Sequence, residues 1–216
     1  MFHYEQELPG GLLLVNSRPE HAAQLQDLQD IVFPTLALEE RFRAHHYLKH
    51  IEIFPEGQFV VLDGTKVVGM TSTIRLNFDF EHTNHTFADV IQGGYLTSHE
   101  PDGPWLYGAD IGTHPEYRRR GIARALYIAR HAVVRHFKLA GQVTVGMMSG
   151  YGAIKHTMTP ELYYAGLESG KLKDPTVSAQ VHLGFEMRGL LRGYLNDPVC
   201  DNSGILLVLD AEREIR

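Results

Sequence analysis

The sequence has 216 residues, of which 44% are hydrophobic and 21% are charged, and its formal net charge is −6. This composition is typical of a globular protein with a hydrophobic core, and the negative charge argues against a general affinity for nucleic acid or anionic membranes. The length predicts a single domain over residues 1–216. A lone cysteine, Cys200, excludes a disulfide framework and a thiolate zinc cluster.

The N-terminal segment lacks the pattern of a targeting signal. It has no basic stretch, and its apolar run at residues 12–15 is too short for a signal peptide or a membrane span. We therefore expect a cytoplasmic protein without a membrane partner.

The first half of the chain alternates strands and helices. Its predicted elements are a strand at residues 11–18, a helix at 19–33, a second helix at 39–53 and a β-hairpin at 58–76. Pro55 and Gly57 break the pattern of the second helix. Asp63-Gly64, between two β-rich runs, is typical of a tight hairpin turn.

The second half begins with a long polar stretch, residues 77–104, which predicts a connection over the surface. The predicted elements after it are strands at residues 105–113, 142–149, 185–194 and 204–210, and helices at 121–137, 160–169 and 176–183. Interleaved strands and helices predict a mixed α/β (α+β) fold around a central, largely antiparallel sheet.

The stretch "HPEYRRRGIARALY" joins the strand at 105–113 to the helix at 121–137. A helix N-terminus offers unpaired N–H groups and the positive end of its dipole, which suits a phosphate. Gly121 lets the backbone approach a bulky anion, Ala123 leaves the first turn uncrowded, and the arginines at 118–120 add positive charge. The loop matches neither a Walker loop nor a dinucleotide fingerprint, so we predict a different diphosphate cradle.

The loop residues resemble the [Q/R]-x-x-G-x-[G/A] motif of the GNAT superfamily of N-acetyltransferases. The matching positions are Arg118, Arg119, Arg120, Gly121, Ile122 and Ala123. Pro115 before the loop, the hairpin and a late Gly184-Phe185 pair follow the order of that family. "DGPWLYGADIGTHPEYRRRGIARALY" is also similar to the acetyltransferase half of bacterial proteins that carry a nitrilase-like domain after it.

The resemblance implies a GNAT fold, acetyl-CoA as co-substrate and direct transfer of the acetyl group to an amine. In the family the loop holds the pyrophosphate of coenzyme A. The preceding strand holds the pantetheine with its backbone, here at Ile111, Gly112 and Thr113. The acceptor is expected to be a small-molecule or peptide amine, with no nucleic-acid partner, and a homodimer is the candidate assembly. A non-catalytic acyl-CoA-binding module is the alternative function.

The resemblance leaves the acid and base of the reaction open. Many relatives place a Tyr acid four residues before the Gly of the Gly-Phe pair, where this chain has Gln180. Tyr151, followed by Tyr163, is the substitute candidate for the acid. Asp110 and His114, which flank the strand end, are the candidate bases, although a carboxylate needs burial to act as one.

Two other patterns have alternative interpretations. His45, His46 and His50 share the second predicted helix, but spacing places no third zinc ligand beside His46 and His50, so no metal is expected. Cys200 lies in a turn-rich loop without a basic neighbour, which argues against a nucleophile.

Residues 150–174 exceed the length of an ordinary connection, and we expect this segment to cover the acceptor site.

Overall fold

An eight-stranded sheet forms the centre of the computed structural model, which describes residues 2–216. The strands are β1 (Glu5–Leu8), β2 (Leu12–Asn16), β3 (Phe59–Asp63), β4 (Lys66–Leu76), β5 (Trp105–Thr113), β6 (Gly141–Met147), β7 (Glu186–Leu191) and β8 (Gly204–Asp210). Their order in the sheet is β1-β2-β3-β4-β5-β6-β8-β7. The mixed α/β prediction is therefore confirmed, as is the largely antiparallel pairing.

Within residues 2–216, six α-helices flank the sheet. They are α1 (Ala22–Val32), α2 (Ala44–Ile53), α3 (Phe87–Ile91), α4 (Ile122–Phe137), α5 (Pro160–Glu168) and α6 (Val177–Leu183). The predicted start of α2 at residue 39 is wrong, because residues 38–40 form a separate 3-10 turn and Arg43 has extended dihedral angles. Strand β1 was not predicted, since its sequence EQEL has only one apolar residue.

The two central strands run parallel for only a short distance. β5 and β6 pair from Trp105 with Gly141 to Gly108 with Thr144. Beyond that point β5 stays paired with β4, and β6 stays paired with β8. The ends of β5 and β6 therefore separate, and a gap opens between them. Helix α4 makes the crossover that joins this parallel pair.

A β-bulge lies in β5 just before the gap. Ile74 pairs with Tyr107 and Thr73 with Gly108, but Ser72 pairs with Asp110, so Ala109 is an extra residue. Side chains of a regular strand alternate between the two faces of the sheet. The inserted residue therefore places Asp110 on the same face as Tyr107 although three positions separate them.

The core is divided between the two faces of the sheet. One face is covered by α4, whose buried Ile122, Leu126, Ala129 and Val133 recur at helical spacing. The other face carries α1 and α2. The gap between β5 and β6 lies where α4 begins.

The connection at residues 77–104 is more than the surface loop that we predicted. Thr86 and Asp89 form a capping box that begins α3. Phe87, Ile91 and Leu96 are buried against the α1 and α2 face. This apolar turn, hidden in a polar stretch, brings Phe87 to the wall of the cavity described below.

Candidate active site

A cavity of about 760 Å³ occupies the gap between β5 and β6. Its walls come from the end of β5, the start of α4, the end of β6 and helix α6. The segment after α1, the Phe87 turn and the loop between β7 and β8 close its far end. The cavity therefore extends from the N-terminus of α4 into the protein beside Asp110.

The N-terminus of α4 opens into this cavity without a side-chain cap. The first helical bond runs from the Ala125 N–H to the Gly121 carbonyl, at 2.9 Å, so the N–H groups of residues 122–124 have no partner in the helix. Gly121 has φ +80° and Arg119 has φ +63°. These left-handed residues turn the backbone so that the helix begins with its amides facing the cavity mouth.

A close contact fixes the first turn of α4 on the sheet. Ile122 is 1% exposed and lies over Gly69 of β4. A Cβ at Gly69 would come within 2.6 Å of the Ile122 Cγ2 atom. Gly69 pairs with Thr113, the last residue of β5, so this contact also sets the distance between the helix N-terminus and the strand end.

The arginines of the loop have different positions. Arg118, Arg119 and Arg124 line the cavity and are exposed. Arg120 does not line it, and its guanidinium lies over the Tyr117 ring, 4.8 Å from the centroid. The other predicted loop and strand residues, Ile111, Gly112, Thr113, Gly121, Ile122 and Ala123, all line the cavity.

Asp110 gives the inner part of the cavity a carboxylate. It is 7% exposed, and its oxygens accept hydrogen bonds from the Ser72 N–H at 2.5 Å and the Tyr47 hydroxyl at 3.2 Å. Burial raises the pKa of Asp110, while the Ser72 amide and the Arg130 guanidinium act in the opposite direction. The sequence could not show whether Asp110 is buried, and the structure shows that it is.

Arg130 supports Asp110 from the α4 face. This side chain is 1% exposed, and it donates to the Asp110 carbonyl and, at 2.7 Å, to the Thr71 hydroxyl. A Cβ at Gly108 would lie 2.2 Å from the guanidinium, so only glycine leaves room for it. Arg130 does not line the cavity and acts through the backbone of β5.

Gln180, at the position of the usual Tyr, lies on the wall of the cavity. Its Nε2 atom donates to the Tyr127 hydroxyl at 2.8 Å, and its Oε1 atom is buried without a partner. Gly146 is the reason that this side chain fits, since a Cβ there would lie 2.4 Å from Oε1.

The substitute acid and one candidate base lie outside the cavity wall. Tyr151 is 2% exposed, and its hydroxyl donates to the Met158 carbonyl at 2.7 Å. The Tyr163 hydroxyl donates to Asp174 at 2.9 Å. His114 accepts a hydrogen bond from the Glu116 N–H in the loop. The structure thus brings Asp110 to the cavity but not Tyr151 or His114, because local turns bind their polar atoms.

The segment at residues 150–174 does not cover the cavity, contrary to our expectation. None of its residues lines the wall. Asp174 organises the segment, since its carboxylate accepts hydrogen bonds from the N–H groups of Gly150, Thr176 and Val177. The far wall instead contains Thr35, Leu36, Phe87, Tyr194, Leu195 and Val199. No sequence motif marks these residues, because three distant segments supply them.

The histidines of α2 are used structurally. The His46 Nδ1 atom accepts from the Arg43 N–H at 3.0 Å, and the His50 Nε2 atom lies 2.7 Å from the Gly94 carbonyl. Within residues 2–216 no group of three or more His, Cys, Asp or Glu side chains is arranged to hold a metal ion. Burial raises the pKa of the Cys200 thiol to about 12, so it stays protonated on the cavity wall.

Over the same residues, 2–216, the helices are too short or too polar to cross a lipid bilayer.

Comparison with known proteins agrees with this geometry. Residues 22–145 match the model of the Acetyltransferase (GNAT) family. The chain is 32% identical over 186 residues to "Probable hydrolase YhcX" of Bacillus subtilis, covering 86% of this chain and 36% of that protein. It therefore spans about a third of the length of this relative. A second Bacillus subtilis protein, "Uncharacterized N-acetyltransferase YkwB", is 27% identical over 85% of this chain and 82% of its own length.

A solved structure has the same fold. "GphF GNAT-like decarboxylase in complex with isobutyryl-CoA" superposes with a TM-score of 0.79, covering 92% of this chain and 99% of that one, at 21% identity. The family match covers more than half of the chain and includes the parallel pairing of β5 with β6 and the helix α4 that follows Gly121. This protein belongs to the GNAT acetyltransferase family.

Proposed function

We propose that this protein is an N-acetyltransferase that transfers the acetyl group of acetyl-CoA to a cationic amine with an apolar body. The observation that carries the proposal is one continuous cavity with a cationic, amide-lined mouth and an acidic, apolar interior. An acyl-CoA has a diphosphate at one end and a neutral thioester at the other. A protonated amine needs a negative partner near that thioester.

The mouth fits the diphosphate. Unpaired N–H groups of residues 122–124 and the guanidinium groups of Arg118, Arg119 and Arg124 surround it. The cavity then passes between the separated ends of β5 and β6, where β5 and β6 no longer bond to each other. Backbone groups of residues 109–113 on that edge are available to a pantetheine chain.

The interior fits the amine. Asp110 supplies a buried carboxylate, and Val32, Phe33, Leu36 and Phe87 supply apolar surface on the same wall. A carboxylate in such surroundings attracts an ammonium strongly because little water screens it. The apolar wall would bind an aliphatic or aromatic group next to the amine nitrogen.

The charges of the wall do not favour decarboxylation, the activity named for one structure of the same fold. A decarboxylase must hold a carboxylate group of its acyl substrate. Within the part of the chain that the structure describes, the only Lys or Arg residues on the cavity wall are Arg118, Arg119 and Arg124, all at the diphosphate end. The interior has Asp110 and Asp197 instead.

The proposed reaction needs no acyl-enzyme. The acceptor nitrogen loses a proton, attacks the thioester carbonyl carbon and forms the amide bond as the carbon–sulfur bond breaks. The sulfur leaves as a thiolate and takes up a proton. Asp110 would hold the ammonium in place beside the thioester, and the apolar wall would exclude water from the reacting atoms.

The test is release of free coenzyme A thiol from acetyl-CoA with a panel of amines of increasing apolar size. Asp110→Asn should lower kcat/KM for a cationic amine by about a hundredfold, as expected for loss of a buried charge partner, while the Kd for acetyl-CoA changes little. Asp27→Asn, at an exposed position of α1, is the matched control and should behave as wild type. Binding of acetyl-CoA without turnover of any amine would support the binding-module alternative instead.

A further inference from the structure

Three buried side chains form a hydrogen-bonded chain from the cavity towards the surface. Tyr194 lines the cavity, and its hydroxyl lies 2.8 Å from the Tyr107 hydroxyl. The Tyr107 hydroxyl lies 2.7 Å from the His85 Nε2 atom. Tyr107 is 0% and Tyr194 is 5% exposed, whereas His85 is only half-buried. The chain thus connects the interior of the cavity to a residue with access to solvent.

The direction of each hydrogen bond in this chain is fixed. The His85 Nδ1 atom lies 2.7 Å from the Thr83 carbonyl, which can only accept, so Nδ1 carries the proton of the neutral ring. Nε2 is then an acceptor, and Tyr107 must donate to it. Since Tyr107 has a single hydroxyl hydrogen, Tyr194 must donate to Tyr107. The Tyr194 oxygen is left with free lone pairs, and this residue lines the cavity.

We infer that Tyr194, Tyr107 and His85 carry the proton of the acceptor ammonium out of the active site. This inference rests on the proposed function. The ammonium N–H donates to the Tyr194 oxygen. As the nitrogen loses that proton, Tyr194 passes its own to Tyr107, and Tyr107 passes its own to His85 Nε2. One N–H bond breaks and each phenol stays neutral with its hydroxyl hydrogen reversed. His85 becomes an imidazolium, and the hydrogens return to their first orientation after the ring has released a proton to water.

The acidities of the three groups suit this role. Burial lowers the pKa of His85 below its ordinary value of 6.5, against the opposing effects of the Thr83 carbonyl and the Asp89 carboxylate, so the ring is neutral at pH 7. Burial raises the pKa of both phenols, which therefore relay a proton without ionising. The titratable groups that face His85 are Asp89 of α3, Tyr107 of β5 and Tyr194, which follows β7.

Asp110 is not a member of this hydrogen-bonded chain. Both of its oxygens already accept hydrogen bonds, from Ser72 and Tyr47, which suits holding a charge.

The His85 ring packs against Phe78, Tyr107 and Tyr194, with ring centroids 5.4, 5.7 and 5.4 Å away. This packing fixes the imidazole plane so that Nε2 stays aligned with the Tyr107 hydroxyl.

The experiment compares pH profiles of kcat/KM for the amine in wild type, Tyr107→Phe, Tyr194→Phe, His85→Ala and His85→Gln. Each variant should lose about tenfold to a hundredfold in rate, as for loss of a general base, and keep its affinity for acetyl-CoA. The wild-type rate should fall as the pH drops through the pKa of His85, and this acidic limb should disappear in the variants. His82→Ala, an exposed position on the same connection, should match wild type.

Rescue separates proton transfer from packing. Added imidazole should restore His85→Ala but not the double variant His85→Ala with Tyr107→Phe, in which the chain is interrupted. His85→Gln keeps a polar side chain of similar reach but cannot take up a proton, so it should fold as wild type and stay slow. Variants with wild-type rates and pH profiles would overturn the relay and leave the proposed function intact. Absence of turnover in the wild type would instead overturn the proposed function and the relay with it.

Discussion

At the scale of single residues, the conformation of Gly121 controls the mouth of the cavity. A Cβ at this position would meet nothing within 4 Å, so glycine is not needed for space. It is needed because the residue has φ +80° and precedes the first turn of α4. The glycine of the motif is therefore a backbone requirement, and the amides that we propose to bind the diphosphate depend on it.

We expect Gly121→Val to weaken acetyl-CoA binding by about tenfold, because a β-branched residue at positive φ costs about 1–2 kcal/mol and shifts the amides that follow. Gly121→Asn should retain most of the affinity, since Asn tolerates the left-handed region. Isothermal titration with acetyl-CoA measures both. Equal affinities of the two variants would contradict a conformational role.

The residues of the candidate site differ in how well the sequence alone could identify them. The loop could be predicted, since Gly121 and its arginines act through local backbone structure and charge. Asp110 could be named, but its burial depends on Tyr47, Arg130 and other residues far away in the sequence. Tyr194 could not be predicted, because nothing local distinguishes a cavity tyrosine from Tyr151, which bonds to its own turn.

At the scale of elements, the position of α4 depends on a strand glycine. Gly69 of β4 lets Ile122 contact the sheet, and any side chain at residue 69 would press against Ile122 and Val61. The first turn of α4 therefore packs directly on β4 at a position that has no side chain.

Gly69→Ala should lower the free energy of unfolding by about 1–3 kcal/mol, as expected for overpacking, and should also weaken acetyl-CoA binding as the helix N-terminus shifts. Gly189→Ala is the matched strand control, because a Cβ at Gly189 meets nothing within 4 Å. Urea unfolding and acetyl-CoA titration of both variants make the measurement. A Gly69→Ala protein as stable as Gly189→Ala would be inconsistent with a tight Ile122 contact.

Most elements were predictable because their apolar spacing is regular, as in α1 and α4. The short elements were not. β1 has four residues and one buried side chain, and α3 has five residues within a polar stretch. Both are stabilised by partners elsewhere, β1 by pairing with β2 and α3 by burial of Phe87 and Ile91, so their local sequence carries little signal.

At the scale of the whole molecule, buried histidines link stability to pH. His50 is 1% exposed, and burial lowers its pKa from 6.5 to about 4. The unfolded chain therefore binds a proton more readily than the folded protein does. The contribution of this histidine to stability is fully present above pH 6.5 and is lost as the pH falls towards about 4.

Wild-type protein should lose about 2 kcal/mol of its free energy of unfolding between about pH 7 and about pH 5 through His50 alone. His50→Gln should show a shallower pH dependence, because Gln can still donate to the Gly94 carbonyl but has no proton to take up. Urea unfolding at several pH values gives the slopes. His156→Gln, at an exposed position, should leave the slope unchanged, and an unaltered slope in His50→Gln would refute the prediction.

The bulge at Ala109 determines which face of the sheet each later residue of β5 points to. If Ala109 were instead paired with Ser72 in strict alternation, Asp110 would lie opposite Thr71 and point to the α4 face. The carboxylate would then leave the cavity that Tyr194 also lines, although the amino-acid sequence would be the same. The pairing register after Gly108 therefore determines whether the cavity contains the Asp110 carboxylate.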